Sequence, residues 1–210
     1  MIYRNIVQRS PEWFEKRLGA VTCSRLGDIM KGVKGKYLAS RETYMEELAA
    51  EILTGNMANF FVNDAMQHGI DTEPLARAAY EAYEGVFVEE VGLCTHPTIE
   101  GFLGSPDGLV GDDSSIEIKC PNSNTHIKTK SSGKVKKQYE WQMYGVMICA
   151  ERKTCTFISY DPRLPVTASY YSKLYTLTPE IKSEIEENVI IFQKELQQLV
   201  GVLNGKPDNS

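Results

Sequence analysis

The sequence predicts an α/β sandwich, with a mixed central β-sheet flanked by α-helices. Three observations carry that expectation. Helical periodicity dominates both ends of the chain, short alternating segments crowd its middle, and the 210 residues, 42% apolar and 24% charged, suit one compact domain. The domain is expected to span 1–210, with 203–210 a flexible tail.

The elements follow in order. Pro11 to Leu18 reads as a short helix, and Ser24 to Met30 as another, with Thr22 and Ser24 available as caps. Ser40 is placed to cap a third helix ending near Leu53, closed by Gly55. Helical pattern resumes from Asn59 to Tyr83, where Pro74 must either kink the helix or start a new one. Strands are expected at Phe87–Cys94, Gly101–Ser105, Gly108–Val110 and Ser115–Cys120. Residues 121–135 read as a polar loop and Val135–Cys149 as a helix. Thr154–Tyr160 and Ala168–Leu177 complete the strands. Pro179 to Leu203 is a long amphipathic helix whose stripe, Ile185, Val189, Phe192 and Leu196 among it, is expected to face the core rather than a partner.

Composition narrows the function. The five cysteines are odd in number and form no Cys-x-x-Cys pair, so a reducing cytoplasm is expected rather than a zinc or iron–sulfur site. No apolar run approaches a membrane span, and the N-terminus lacks a signal-peptide core. The net charge of −5 argues against nonspecific nucleic-acid binding by the whole surface. Two basic clusters stand out nonetheless. One holds Lys31, Lys34, Lys36 and Arg41, the other Lys128, Lys130, Lys134, Lys136 and Lys137. They suit either solvated loops or a surface that tracks a phosphate backbone. The three histidines, His68, His96 and His126, lack metal-ligand spacing and are expected to be structural. Phe60-Phe61 and Tyr170-Tyr171 are expected in the core or at a subunit contact.

One stretch carries chemistry: Gly104-Ser105-Pro106-Asp107-Gly108, followed by Ile116-Glu117-Ile118-Lys119. Residues two apart on a strand share a face, so Glu117 and Lys119 point together while Ile116 and Ile118 point into a core. A turn bringing Asp107 beside Glu117 would set two carboxylates and one ammonium around a single point. That is the equipment for metal-assisted phosphodiester hydrolysis: carboxylates to hold Mg²⁺, and a Lys to orient water or stabilise charge. Glu-x-Lys alone is weak, because it recurs at 151–153 and 180–182. Those copies read as a turn and a helix start, and only the copy at 117–119 lies in an alternating strand downstream of Pro-Asp.

At the level of ordered blocks, the chain resembles the lambda-type phage exonucleases, the YqaJ-like viral recombinase group of the restriction-endonuclease-like PD-(D/E)XK superfamily. The blocks are Arg17-Leu18-Gly19 with Val21-Thr22-Cys23-Ser24, Gly69-Ile70-Asp71-Thr72-Glu73, Ser105-Pro106-Asp107-Gly108-Leu109, Glu117-Ile118-Lys119-Cys120-Pro121, Gln142, and Tyr160-Asp161-Pro162-Arg163. The sequence departs from the pattern at Pro74, which directly follows Glu73, and at Tyr144, which stands where some members have a second Gln.

The resemblance implies a restriction-endonuclease-like core and assigns roles residue by residue. Asp107, Glu117 and the backbone carbonyl of Ile118 would bind metal, with Glu73 an additional carboxylate reaching it directly or through water. Lys119 would position or deprotonate the attacking water. Arg17, Ser24, Ser105 and Gln142 would form a pocket for a 5′-terminal phosphate. The implied cofactor is Mg²⁺, two per site, replaceable by Mn²⁺. The implied partners are double-stranded DNA ends, two further copies in a ring-shaped homotrimer, and a single-strand annealing protein, in the cytoplasm of a bacterium carrying the phage or prophage. The implied activity is 5′→3′ digestion of one strand of linear duplex to mononucleotides, leaving a 3′ overhang. A RecB-like or structure-specific endonuclease of the same fold is the alternative enzyme, and a non-catalytic DNA-end-binding module the alternative outside enzymes.

Overall fold

The computed structural model describes residues 1–32, 35–57 and 63–205. The chain forms two four-stranded mixed sheets packed with helices, where one central sheet was expected. The first sheet runs in the order β1 (Ile2–Tyr3), β3 (Leu93–Thr95), β4 (Phe102–Gly104), β2 (Val21–Thr22). The second runs β5 (Gly108–Val110), β6 (Ser114–Lys119), β7 (Thr154–Tyr160), β8 (Tyr170–Thr176). In the second sheet only β6 and β7 are parallel. The split falls at Ser105-Pro106-Asp107, which carries the chain from β4 directly into β5.

The helices are α1 (Pro11–Arg17), α2 (Leu26–Ile29), α3 (Ser40–Thr54), α4 (Asp64–Glu84), α5 (Ser123–Ser132), α6 (Lys137–Cys149), α7 (Val166–Ser169) and α8 (Pro179–Leu203). A 3₁₀ turn at Cys23–Arg25 leads into α2. The main core joins α2, α3, α6 and α8 to the first sheet, through residues such as Leu26, Tyr44, Phe102, Val146 and Phe192. The α8 stripe is core over most of its length, as expected: Ile185, Val189 and Phe192 have no exposed surface, while Leu203, the last residue of the expected stripe, is exposed. A second cluster packs Ala76 and Tyr80 of α4 on Ile116, Ile118 and Ile158. A third packs Met143 and Met147 of α6 on Cys155 and Phe157. The second sheet is thus covered by α4 on one face and α6 on the other.

Several sequence expectations are corrected. Residues 121–135 are not a loop, since α5 occupies most of them. Asn122 caps its start by accepting from the Thr125 N–H, and Gly133 closes it at φ 63°. Its polar composition hid it, because His126 is its one fully buried residue. Ser40 does not cap α3: the N-cap is Ala39, in helical conformation. Neither Thr22 nor Ser24 caps a helix by its side chain. Their hydroxyls face each other at 3.3 Å instead. Pro74 neither starts a helix nor divides α4, which continues through it. The expected strand at 87–94 is shorter, with Leu93–Thr95 as β3 and a single bridge from Glu89 to Leu109 upstream.

Lys34, the start of the expected helix at Asn59, Phe60-Phe61 and the end of the tail lie outside the described residues. Two members of the basic clusters are committed to structure. Arg41 is buried and paired with Glu195 at 2.6 Å. Lys130 donates to the carbonyls of Thr167 and Tyr170. The Tyr170 ring lies 4.7 Å from that of Tyr83 in a tilted arrangement, and Tyr171 packs against the third cluster.

Candidate active site

The site is built on the junction between the two sheets. Glycine is required on both sides of Ser105-Pro106-Asp107. A Cβ on Gly104 would lie 2.6 Å from Cys23 Sγ, and one on Gly108 would lie 2.1 Å from Val88 Cγ1. The N-terminal segment clamps the junction from outside. Gln8 Nε2 donates to the carbonyls of Pro106 (2.9 Å) and Val91 (3.1 Å). Trp13 Nε1 donates to Ser105 Oγ at 2.8 Å.

Strand register then sets Asp107 beside Glu117. β5 and β6 pair antiparallel, with Gly108 opposite Ile116, so one further step along the register brings Asp107 opposite Glu117. Side chains so placed meet at about 5 Å between Cβ atoms. Asp107 Oδ2 accepts the Ile118 N–H at 2.6 Å, which locks the carboxylate against β6. Ile116 and Ile118 pack toward α4, and alternation turns Glu117 to the α6 face. Lys119 Nζ meets Glu117 Oε1 at 2.5 Å and sits 5.0 Å from the centre of the Tyr139 ring. The two acids and one amine expected to converge therefore do so.

Glu73 arrives from α4 and lines the same cleft, of about 490 Å³, with Asp107, Ile118, Lys119 and Tyr139. Its carboxylate is engaged by Arg77 of the next helical turn at 2.7 Å, with Arg9 at 3.9 Å. Arg77 also donates to the Asp107 carbonyl at 3.3 Å.

The electrostatics mark a place for a cation. Glu117 has no exposed surface. Apart from its ion pair with Lys119, neither oxygen has a well-aligned hydrogen-bond donor among the described residues. Burial, reinforced by Asp107, pushes its pKa to about 8. Burial and the same repulsion push Glu73 to about 7, and burial raises Asp107. Burial works against charge on Lys119, but Glu117 and Asp107 outweigh it and its pKa is raised. A buried carboxylate so thinly partnered is costly unless further positive charge arrives. The donors are all oxygens, which suits a hard ion. Among the described residues, no three acidic, His or Cys side chains are placed to hold a metal ion by themselves, so backbone carbonyl and water oxygens would have to complete any shell. The residues fit an ion of the Mg²⁺ type, which takes one or two carboxylates and keeps several waters.

The four residues expected to bind a terminal phosphate come together in a second, smaller cavity of about 170 Å³. Arg17, Ser24, Ser105 and Gln142 all line it, and Asp107 forms its boundary with the cleft. Arg17 lies 4.0 Å from the centre of the Trp13 ring. Its buried Nε has no partner, and no carboxylate pairs with it among the described residues. Burial lowers its pKa. A half-buried guanidinium with no paired carboxylate is electrostatically suited to an anion. Ser105 Oγ already accepts from Trp13, so its own proton is free to donate.

Sequence reasoning missed four contributors: Arg9, Trp13, Arg77 and Tyr139. Arg77 had a local signal, four residues after Glu73 on one helix face. The others reach the site only through tertiary contacts. None of the three histidines lines the cleft or the second cavity. His96 pairs with Glu186 at 2.9 Å, and His126 binds Ser159 and the Ala168 carbonyl. His68 Nδ1 lies 3.4 Å from the Thr72 hydroxyl on α4.

Known proteins match this chain in sequence and fold. The YqaJ-like viral recombinase domain matches residues 12–153. The alkaline exonuclease LHK-Exo from Laribacter hongkongensis is 46% identical over 93% of this chain and 96% of that chain, with a TM-score of 0.87. The LHK-Exo structure in complex with dAMP matches with the same identity and TM-score, over 92% and 96%. A phage-related exonuclease from Haemophilus somnus 129PT, 21% identical, shares the fold at a TM-score of 0.72 over 88% and 96%. No curated protein gave a significant match. By the match across residues 12–153, which include both cavities' principal side chains, the chain belongs to the YqaJ-like viral recombinase family.

Proposed function

We propose that this chain is a Mg²⁺-dependent exonuclease that digests one strand of linear double-stranded DNA from its 5′ end, releasing mononucleotides and leaving a 3′ overhang for annealing-type recombination. One observation carries the reading. The anion pocket around Arg17 and the carboxylate cleft share Asp107 as a wall, so a terminal phosphate held in the first places the next phosphodiester at the second. Exonuclease activity in LHK-Exo, at 46% identity over nearly the whole chain, and its capture with dAMP support the same reading.

The chain's own groups divide the work. Asp107, Glu117 and the Ile118 carbonyl would hold the metal, with Glu73, whose carboxylate Arg77 engages, an additional ligand directly or through water. Bound there, Mg²⁺ lowers the pKa of water and stabilises charge on the phosphate; a second ion is part of the proposal. Lys119, kept charged by Glu117 and Asp107, orients the attacking water and offsets negative charge that develops on the phosphate. Arg17 offers a fixed donor fork to the end phosphate, while Ser24, Ser105 and Gln142 add neutral donors. Mn²⁺ substitutes for Mg²⁺ in the same oxygen site. A ring-shaped homotrimer and a single-strand annealing protein are the proposed partners, in a bacterial cytoplasm under phage or prophage control.

The test is digestion of end-labelled linear duplex with Mg²⁺ and with chelator, beside a closed circle. Mononucleotides released from the 5′ end of the linear substrate alone, and only with metal, are expected. Rapid cutting of closed circles would identify an endonuclease instead, and binding without cutting a non-catalytic end-binding module.

A further inference from the structure

We infer that Arg9 is a further substrate-contacting residue, which grips the phosphodiester spanning the end pocket and the carboxylate cleft. The inference rests on the function proposed above. Arg9 and Asp107 are the two side chains common to the cleft, the end pocket and a third cavity of about 320 Å³ beside them. A DNA strand running from the Arg17 pocket into the cleft would pass along walls that Arg9 and Asp107 both line. The Arg9 guanidinium is available, with its side chain 44% exposed. Its nearest acid, Glu73, is 3.9 Å away, too far for a hydrogen bond and already held by Arg77.

The backbone under Arg9 is the second observation. Ser10 N–H donates to the Val7 carbonyl, closing a turn with Arg9 in its third position at φ 68°. Glycine is the residue that such a position favours. Among the described residues only Arg9 and Glu151 combine a side chain with positive φ. Strain of this kind persists where surrounding structure enforces it, commonly at ligand clamps. Here the neighbours enforce it: Gln8 pins the turn to the Pro106 and Val91 carbonyls, and Ser10 caps α1. The fold would be served better by glycine, so the arginine is explained by what its side chain meets.

The experiment compares the parent with Arg9→Gly and Arg9→Lys. Binding of 5′-phosphorylated and 5′-hydroxyl duplex is followed by fluorescence anisotropy in chelator across a salt series, together with thermal melting and steady-state cleavage. Arg9→Gly is expected to melt no lower than the parent. It is expected to lose about ten-fold in affinity, and its log K against log salt slope is expected to flatten by about one phosphate contact. Arg9→Lys keeps a point charge without the fork and should fall between them. Unchanged affinity and salt slope in Arg9→Gly, with a parent that still prefers phosphorylated ends, would overturn the role of Arg9 alone. A parent with no preference for phosphorylated ends would overturn the underlying functional reading, and Arg9's role with it.

Discussion

Lys119 and Glu117 are close charged partners at 2.5 Å on adjacent same-face positions of β6, and that spacing was readable from four letters of sequence. Lys119→Ala should lower kcat about 10²-fold or more, with a smaller effect on KM, in single-turnover and steady-state digestion. Arg17→Ala should abolish the preference for 5′-phosphorylated over 5′-hydroxyl duplex, read as a ratio of initial rates. Glu117 carries a pH signature in metal-free protein. Its pKa of about 8, and that of about 7 for Glu73, lie above the free value of 4.5. Between those limits the folded state retains protons that the unfolded chain has released. Stability is therefore greatest below about pH 4.5 on this account and falls as pH rises through about 8. Glu117→Gln should remove much of that fall, so thermal melts in chelator should show the variant gaining on the parent toward alkaline pH. Asp107, Glu117 and Lys119 were legible because strand alternation is local. Arg9 and Trp13 were not, because neither carries a motif and each reaches the site from the N-terminal segment through contacts with residues far along the chain, Glu73 and Ser105.

At the scale of elements, α6 holds the two halves of the molecule together. It packs on the second sheet through Met143 and Met147 and lies against the 3₁₀ turn and α2 on its other side. The second contact depends on Gly145, where a Cβ would lie 2.3 Å from Leu26 Cδ1 and 2.9 Å from Cys23 Sγ. Gly145→Ala should cost about 1–3 kcal/mol by overpacking, measured by denaturant unfolding. It should also weaken selection for phosphorylated ends, because the displaced turn carries Ser24 and α6 carries Gln142. Helices α6 and α8 and strands β5 to β7 were legible from periodicity. Helix α5 was not: its caps, Asn122 and Gly133, are turn residues as readily as cap residues, and its single buried side chain is a histidine. The N-cap assigned to Ser40 failed for a related reason, since one hydroxyl near a helix start does not fix which residue leaves the helical conformation.

The whole molecule places its chemistry where the chain crosses from one sheet to the other. Two sheets meeting at Ser105-Pro106-Asp107 bring an anion pocket and a carboxylate cleft to opposite sides of one side chain. Among the described residues, no helix is long and apolar enough to cross a membrane, and all five cysteines are free thiols. If the proposed ring forms, sedimentation equilibrium should return three times the monomer mass without DNA; a monomer at micromolar concentration would remove the trimer from the proposal. The sequence by itself determined the α/β class, most strands, the core face of α8 and the shared strand face of Glu117 and Lys119. Each of these follows from periodicity within a few neighbouring residues. Tertiary structure alone decided that there are two sheets rather than one, that Arg41 and Lys130 serve the fold, and that Arg9 stands between the cavities. Those outcomes depend on which distant surfaces meet, and burial and charge pairing between distant segments leave no local repeat in the chain.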